Sequence, residues 1–133
     1  MDSPLSIDEV SRRTGLTAHT LRYYERIGLI AAVTRAAGGQ RRYAAADLDW
    51  IAFLLRLRET RMPIARMQAF ALLRSQGDAT AAQRRQMLEA HLAEVQASMA
   101  EMQRAAGILA DKITHYRAVE RGPLSSKHKE TAA

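Results

Sequence analysis

Residues 6–28 read SIDEVSRRTGLTAHTLRYYERIG, and this stretch decides the fold. Ser6-Ile7-Asp8-Glu9 has the S-x-x-E spacing in which the hydroxyl accepts from the third helical amide while the carboxylate reaches back to the cap, so a helix starts here. Ile7 and Val10 give it a small apolar face, and Gly15 stands where a left-handed C-terminal residue is wanted. Thr17 then caps a second helix running to about Ile27, with Gly28 closing it in the same way. Two short helices joined by a tight turn are a helix-turn-helix skeleton. On the second helix His19, Arg22, Tyr23 and Arg26 share one face, and Leu21, Tyr24 and Gly28 the other. One side packs, and the other presents donors that can reach base edges and phosphate oxygens.

Outward from this core the helical period is lost between Leu29 and Tyr43, where Gly38-Gly39 separates two short segments able to pair as a hairpin. The hairpin reads as a wing carrying Arg35, Gln40, Arg41, Arg42 and Tyr43. Arginines beside glycines can approach the neighbouring backbone or the minor groove, fixing register while the helix reads sequence. Asp47 to Met62 resumes helical spacing, and Pro63 is expected as the first residue of a following helix that carries Ile64, Met67, Ala71 and Leu72 to about Ser75. Gly77-Asp78 makes a turn, and Thr80-Ala81-Ala82-Gln83 has the spacing of a second capping box.

The final helix is the most regular feature. Leu88, Leu92, Val95, Met99, Met102, Ala106, Leu109, Ile113 and Tyr116 recur at alternating spacings of four and three, a heptad seam sustained over four repeats. A helix of this length, about 55 Å at 1.5 Å per residue, outruns the head and leaves the seam wet unless a partner covers it. Dimerisation is the economical answer, because an internal hairpin needs a break and Gly107 is a weak one. Parallel pairing would oppose Lys112 and Arg117 of the partner. Antiparallel pairing centred on Gln103 would instead bring Glu89 to Arg117 of the partner, although an exposed pair contributes only about 0.3–1 kcal/mol. The expected architecture is mainly α: a winged helix-turn-helix head over 5–76, a dimerisation helix over 80–118 forming an antiparallel coiled coil, and a flexible tail over 119–133.

Bulk properties agree. The 133 residues are 47% hydrophobic but only 5% aromatic, a palette for packed helices. The net charge of +6 is unevenly placed: 12 Arg and Lys face 7 Asp and Glu in residues 1–76, against 5 and 5 in 77–118 and 3 and 2 in 119–133. A basic head on a neutral stalk is an electrostatic footprint for phosphates, although a merely solvated basic surface would share it. Without cysteine, thiolate metal sites, disulfides and cysteine nucleophiles are excluded. No long apolar run or basic-then-apolar leader is present, so a soluble, cytoplasmic protein is expected. No paired carboxylates, nucleophile with base, metal cluster or phosphate loop suggests an enzyme, and no cofactor is expected.

The runs Ile7-Asp8-Glu9-Val10, Thr20-Leu21-Arg22-Tyr23-Tyr24-Glu25, Gly28-Leu29-Ile30, Arg35, Gly39-Gln40-Arg41-Arg42-Tyr43 and Asp47-Leu48 together resemble the DNA-binding domain of MerR-type regulators. The resemblance continues through Trp50-Ile51, Arg58-Glu59-Thr60 and Met62-Pro63-Ile64 into the long helix, over about residues 5–117, and is nearest to the branch answering aldehyde or nitrosative stress. It implies a homodimer with an antiparallel coiled coil on a pseudo-palindromic operator in double-stranded promoter DNA. It also implies work with RNA polymerase holoenzyme, by kinking and untwisting a promoter whose spacer is too long. Position by position it makes Arg22 and Tyr23 recognition-helix contacts, and Arg35, Arg41 and Tyr43 wing contacts. Gln40 stands where the family often has an aromatic. The expected DNA-binding residues are thus Thr17, His19, Thr20, Arg22, Tyr23, Arg26, Arg35, Gln40, Arg41, Arg42 and Tyr43.

Around Leu55-Arg56-Leu57, where that branch often carries a reactive cysteine, an arginine stands instead, so no thiol is available as a switch. A small-molecule effector is left open. Arg56 reads as an anion site or, more simply, one end of a surface salt bridge, and Met99 and Met102 as core rather than a plastic ligand surface. His91 and His115 of the partner would lie at similar heights in an antiparallel pair, but two exposed histidines on a helix are ordinarily just solvated, and no metal site is expected. The alternatives are an effector-independent repressor or architectural DNA-binding protein and a coiled-coil adaptor that binds protein.

Overall fold

In the computed structural model, which describes residues 4–31, 34–35, 37–39 and 41–122, α1 (Ile7–Thr14) begins where its cap does. Ser6 Oγ accepts from the Glu9 amide at 3.2 Å. The Glu9 carboxylate pairs forward with Arg12 and, at 3.2 Å, with Arg13. Gly15 ends α1 with φ of +79°, a left-handed conformation that costs a side-chain-bearing residue about 1–2 kcal/mol. The turn is pinned from both sides, Ser11 Oγ donating to Leu16 O and the Leu16 amide to Thr14 Oγ1, while Leu16 itself is buried. α2 (Ala18–Arg26) follows, capped by Thr17 Oγ1, which accepts from the Thr20 amide at 3.1 Å.

The wing region is a three-stranded antiparallel sheet rather than a lone hairpin. β2 (Thr34–Arg35) pairs with β3 (Arg41–Tyr43) through Thr34↔Arg42 and Arg35↔Arg41, and β1 (Leu5–Ser6) pairs with the other edge of β3 through Leu5↔Tyr43 and Ser6↔Arg42. The order β1-β3-β2 puts β3 in the middle, so the residues before α1 tie the wing to the helix-turn-helix.

α3 (Ala45–Glu59) begins two residues before the expected start, because Asp47 acts as the box carboxylate and accepts from the Ala44 amide at 2.8 Å. It ends at Thr60 and Arg61, the latter at φ +67°, after which the Met62 amide donates to Leu57 O. Pro63 is the cap of α4 (Ile64–Ser75) rather than its first helical residue. Val10, Leu21, Tyr24, Ile51, Leu54 and Met67, all buried, knit α1 to α4 into one core. Trp50 lies nearly parallel to Phe70 within it, with ring centroids 5.9 Å apart.

The expected capping box at Thr80 does not form. Residues Gly77–Thr80 make a 3-10 turn, and the buried Thr80 hydroxyl lies 2.5 Å from Leu73 O of α4, while its oxygen accepts from Arg84 Nε at 3.1 Å rather than from a backbone amide of the next helix. α5 (Ala81–Glu120) then runs without interruption past Gly107, which removes the internal hairpin alternative. The chain divides into two compact units, Met1–His91 and Leu92–Ala133. The first takes in the opening turns of α5, where Met87 and Leu88 pack on the head core, so it reaches beyond the expected boundary at residue 76. The described part of the second is the remainder of α5 and a turn at residues 121–122. Helix therefore covers Val119 and Glu120, which were expected in the tail, and residues 123–133 lie outside the described residues. No helix among the described residues is long and apolar enough to cross a membrane.

Candidate nucleic-acid interface

α2 divides as its sequence predicts. Leu21 and Tyr24 are buried in the head core, while His19, Arg22, Tyr23 and Arg26 are exposed and Thr20 is half-buried. The Arg26 guanidinium lies 5.5 Å from the Tyr23 ring centroid, a cation–π contact that aligns two of the exposed groups. Among the described residues neither Arg22 nor Arg26 is paired with a carboxylate. Their donors are free for an external acceptor. Thr17 is exposed, but its oxygen is committed to the cap and it lies 3.0 Å from the Thr20 hydroxyl.

The C-terminal end of α2 is held by two long-range bonds that sequence reasoning did not anticipate. Gly28, at φ +83°, lets the chain turn so that the Leu29 amide donates to Tyr24 O. Trp50 Nε1 of α3 donates to Leu29 O at 2.7 Å, and Gln68 Nε2 of α4 donates to Ile27 O at 2.9 Å. Both carbonyls would otherwise be left near the end of a helix, short of partners. The only tryptophan in the chain is thereby an anchor for the helix that carries the exposed donors. An aromatic N–H donor twenty-one residues away leaves no local signal.

In the wing, Arg35 and Arg41 are cross-strand partners and Arg42 is half-buried on the central strand. Gly39, at φ +86°, makes the turn between the strands. Gln40 lies outside the described residues. Tyr43 is a correction: it is fully buried, with 0% of its surface exposed, so its ring belongs to the core and cannot meet a phosphate as expected. On a pleated strand the residue after an outward Arg42 points inward, and the apolar ring follows that rule.

On α5 the seam residues Met99, Met102, Leu109, Ile113 and Tyr116 are more than half exposed, Met102 at 68%. Ala106 and Leu92 are exposed too, and Val95 is half-buried. Leu88 departs from the expected seam, packing on the head of its own chain. His91 is a second correction. It is buried rather than solvated, with Nε2 2.7 Å from Thr60 Oγ1. The same Thr60 hydroxyl lies 2.8 Å from Arg56 O and 3.1 Å from Leu57 O, so the contact joins His91 to the end of α3. Arg56 pairs with Glu59 at 2.7 Å on the surface, the plain salt-bridge reading. No group of three or more metal-ligating side chains occurs among the described residues.

A tight helix-turn-helix with an exposed cationic face beside a short arginine-bearing hairpin defines a winged helix-turn-helix DNA-binding protein. The family model for MerR HTH regulatory proteins matches residues 5–71, and that for the MerR DNA-binding region matches 48–111. The regulator AdhR of Bacillus subtilis is 39% identical over 63% of this chain and 60% of its own length. An uncharacterized HTH-type regulator of Haemophilus influenzae is 31% identical over 82% of this chain and 81% of its own. Among solved structures, HiNmlR, a MerR-family regulator lacking the sensor domain and bound to promoter DNA, superposes with a TM-score of 0.80 at 28% identity, covering 90% of this chain and 94% of that one. The chain belongs to the MerR family of DNA-binding transcriptional regulators, and it is a regulator rather than an enzyme.

Proposed function

We propose that this regulator binds a pseudo-palindromic operator in double-stranded promoter DNA as a homodimer. The α5 seams pair antiparallel about Gln103, α2 lies in the major groove, and the wing arginines rest on the adjacent backbone. The observation that carries the reading is the pairing of groups unused among the described residues: cations on α2 without a carboxylate partner, and a row of large, more than half-exposed apolar side chains on α5. Each is destabilising or idle in an isolated chain and satisfied by one assembly on DNA. His19, Arg22, Tyr23 and Arg26 read base edges and phosphates; Arg35, Arg41 and Arg42 set register. The dimer then activates transcription with RNA polymerase holoenzyme by distorting a promoter whose spacer is over-long, the deformation energy coming from the wing and helix contacts.

In-vitro transcription on promoters differing only in spacer length tests this. Activation should appear on the native spacer and vanish when about two base pairs are deleted from it, as sequence-dependent deformation requires. Activation that is indifferent to spacer length overturns the mechanism while leaving DNA binding intact. The absence of any thiol favours a second reading, an effector-independent repressor or architectural factor. Its signature is footprinting over a spacer of ordinary length with transcription reduced.

A further inference from the structure

Between the chain leaving α2 and the facing sides of α3 and α4 lies an open pocket of about 330 Å³, lined among others by Ile27, Leu29, Trp50, Gln68, Leu72 and Arg74. Its polar wall groups are already engaged: the Trp50 N–H with Leu29 O, the Gln68 amide with Ile27 O, and the Ser75 hydroxyl with Leu72 O at 2.6 Å. What remains is apolar surface, the Gln68 Oε1 acceptor and one cation. The Arg74 guanidinium lies 4.3 Å from the Trp50 ring centroid, and among the described residues no carboxylate pairs with it. The cation–π contact with the indole leaves the guanidinium its N–H donors, the groups that grip a carboxylate through two parallel bonds. Behind the indole, the stack on Phe70 fixes the floor. The volume is at the small end of ligand pockets. With a single cation in the wall, the fitting charge is one negative unit rather than a phosphate's two.

We infer that this pocket binds a small aromatic monocarboxylate, its carboxylate on the Arg74 edge and its ring against Ile27, Ala71 and Leu72. The bound ring touches the segment whose two tethers hold the end of α2. Occupancy therefore changes operator affinity, a consequence that rests on the DNA-binding reading above, whereas the binding chemistry does not. A guanidinium folded across an indole merely to shed water would look similar without ligand. The measurement separates the two.

Trp50 is the sole tryptophan, so its emission reports the site directly in the full chain. Phenylacetate should produce a saturable change. Phenylacetamide, isosteric but neutral, should bind at least about tenfold more weakly, and phenethylamine not at all, in line with the greater strength of charge-assisted bonds. Arg74→Gln should lose the same tenfold for phenylacetate and leave the weak phenylacetamide affinity unchanged. Ala71→Leu, which fills the pocket from α4, should abolish both while circular dichroism stays native. Equal affinity for acid and amide, a change that never saturates, or indifference to Arg74→Gln overturns the proposal. So does binding that appears only after the seam is broken with Met102→Lys and Leu109→Lys, since the partner protomer would then be the natural occupant. Saturating phenylacetate should shift operator affinity by at least about threefold in the wild type and not in Arg74→Gln. An unchanged operator affinity with phenylacetate bound refutes the coupling and leaves the site standing.

Discussion

Replacing Trp50 with Phe removes the indole N–H but keeps a ring on Phe70, which isolates the anchor at the end of α2. The bond to Leu29 O is 2.7 Å long and buried, with both partners inside the head core. A buried carbonyl deprived of its donor costs about 1–3 kcal/mol. The lost pyrrole portion leaves a small void beside Phe53 and Phe70 worth roughly another 1 kcal/mol. The cation–π contact of Arg74 weakens by about 0.5 kcal/mol on the smaller ring. The sum, about 2.5–4.5 kcal/mol, is a large part of the stability of a head this size and should lower its melting temperature by about 10–36 °C at roughly 4–8 °C per kcal/mol. Thermal and urea unfolding followed by circular dichroism measure it. Because the bond holds the segment after α2, operator affinity at a temperature where the variant remains folded should also fall, with the dimer unchanged. A stability loss below about 1 kcal/mol would refute the claim that this bond secures the recognition helix.

Three further outcomes follow from exposure and backbone geometry. Arg22→Ala should weaken specific operator binding at least about tenfold, the range of one bidentate base contact, with melting unchanged within about 0.5 kcal/mol; intact sequence discrimination in a binding assay counts against α2 as the reader. Met102→Lys with Leu109→Lys removes two seam side chains from each protomer, each worth about 1.5–3 kcal/mol when buried, and should give monomers; a dimer in sedimentation at micromolar concentration sinks the seam. Arg61, at φ +67° between α3 and α4, should tolerate Gly within roughly 0.5 kcal/mol and lose about 1–2 kcal/mol to Val, and equal melting of the two variants would show that the turn relaxes.

What the sequence disclosed and what it hid divide by the range of the signal. The caps at Ser6 and Thr17, the stop at Gly15 and the heptad spacing act over three or four residues and were readable directly. β1 was not: two residues carry no periodicity, and the strand exists only because β3 offers an edge. The box at Thr80 was a false local signal, since Gly77 shapes a 3-10 turn that brings the hydroxyl to Leu73 O. His91 was misread because its polarity suggested solvent. Its spacing told more, as Met87, Leu88 and His91 lie at helical intervals on the one face of early α5 that meets the head. Tyr43 shows the same error from the other side, a residue counted with its arginine neighbours when the pleat turns it inward.

The way the head distributes its polar bonds explains why α2 suits DNA. Ion pairs such as Arg12 and Arg13 with Glu9, Arg56 with Glu59 and Arg85 with Glu89 join residues three or four apart on one helix, exposed pairs worth little to the fold. The long-range bonds from Trp50 and Gln68 are neutral and reach the backbone after α2, where they stabilise its end without touching its cationic face. Orientation is thus supplied by neutral donors, and among the described residues Arg22 and Arg26 have no carboxylate partner to give up. On the proposed reading, a phosphate meeting them would release counterions without first breaking a salt bridge to a described residue, and the electrostatic gain would go to the complex. A recognition helix fixed by ion pairs would lose part of that gain. Fixed by an indole and an amide, it does not.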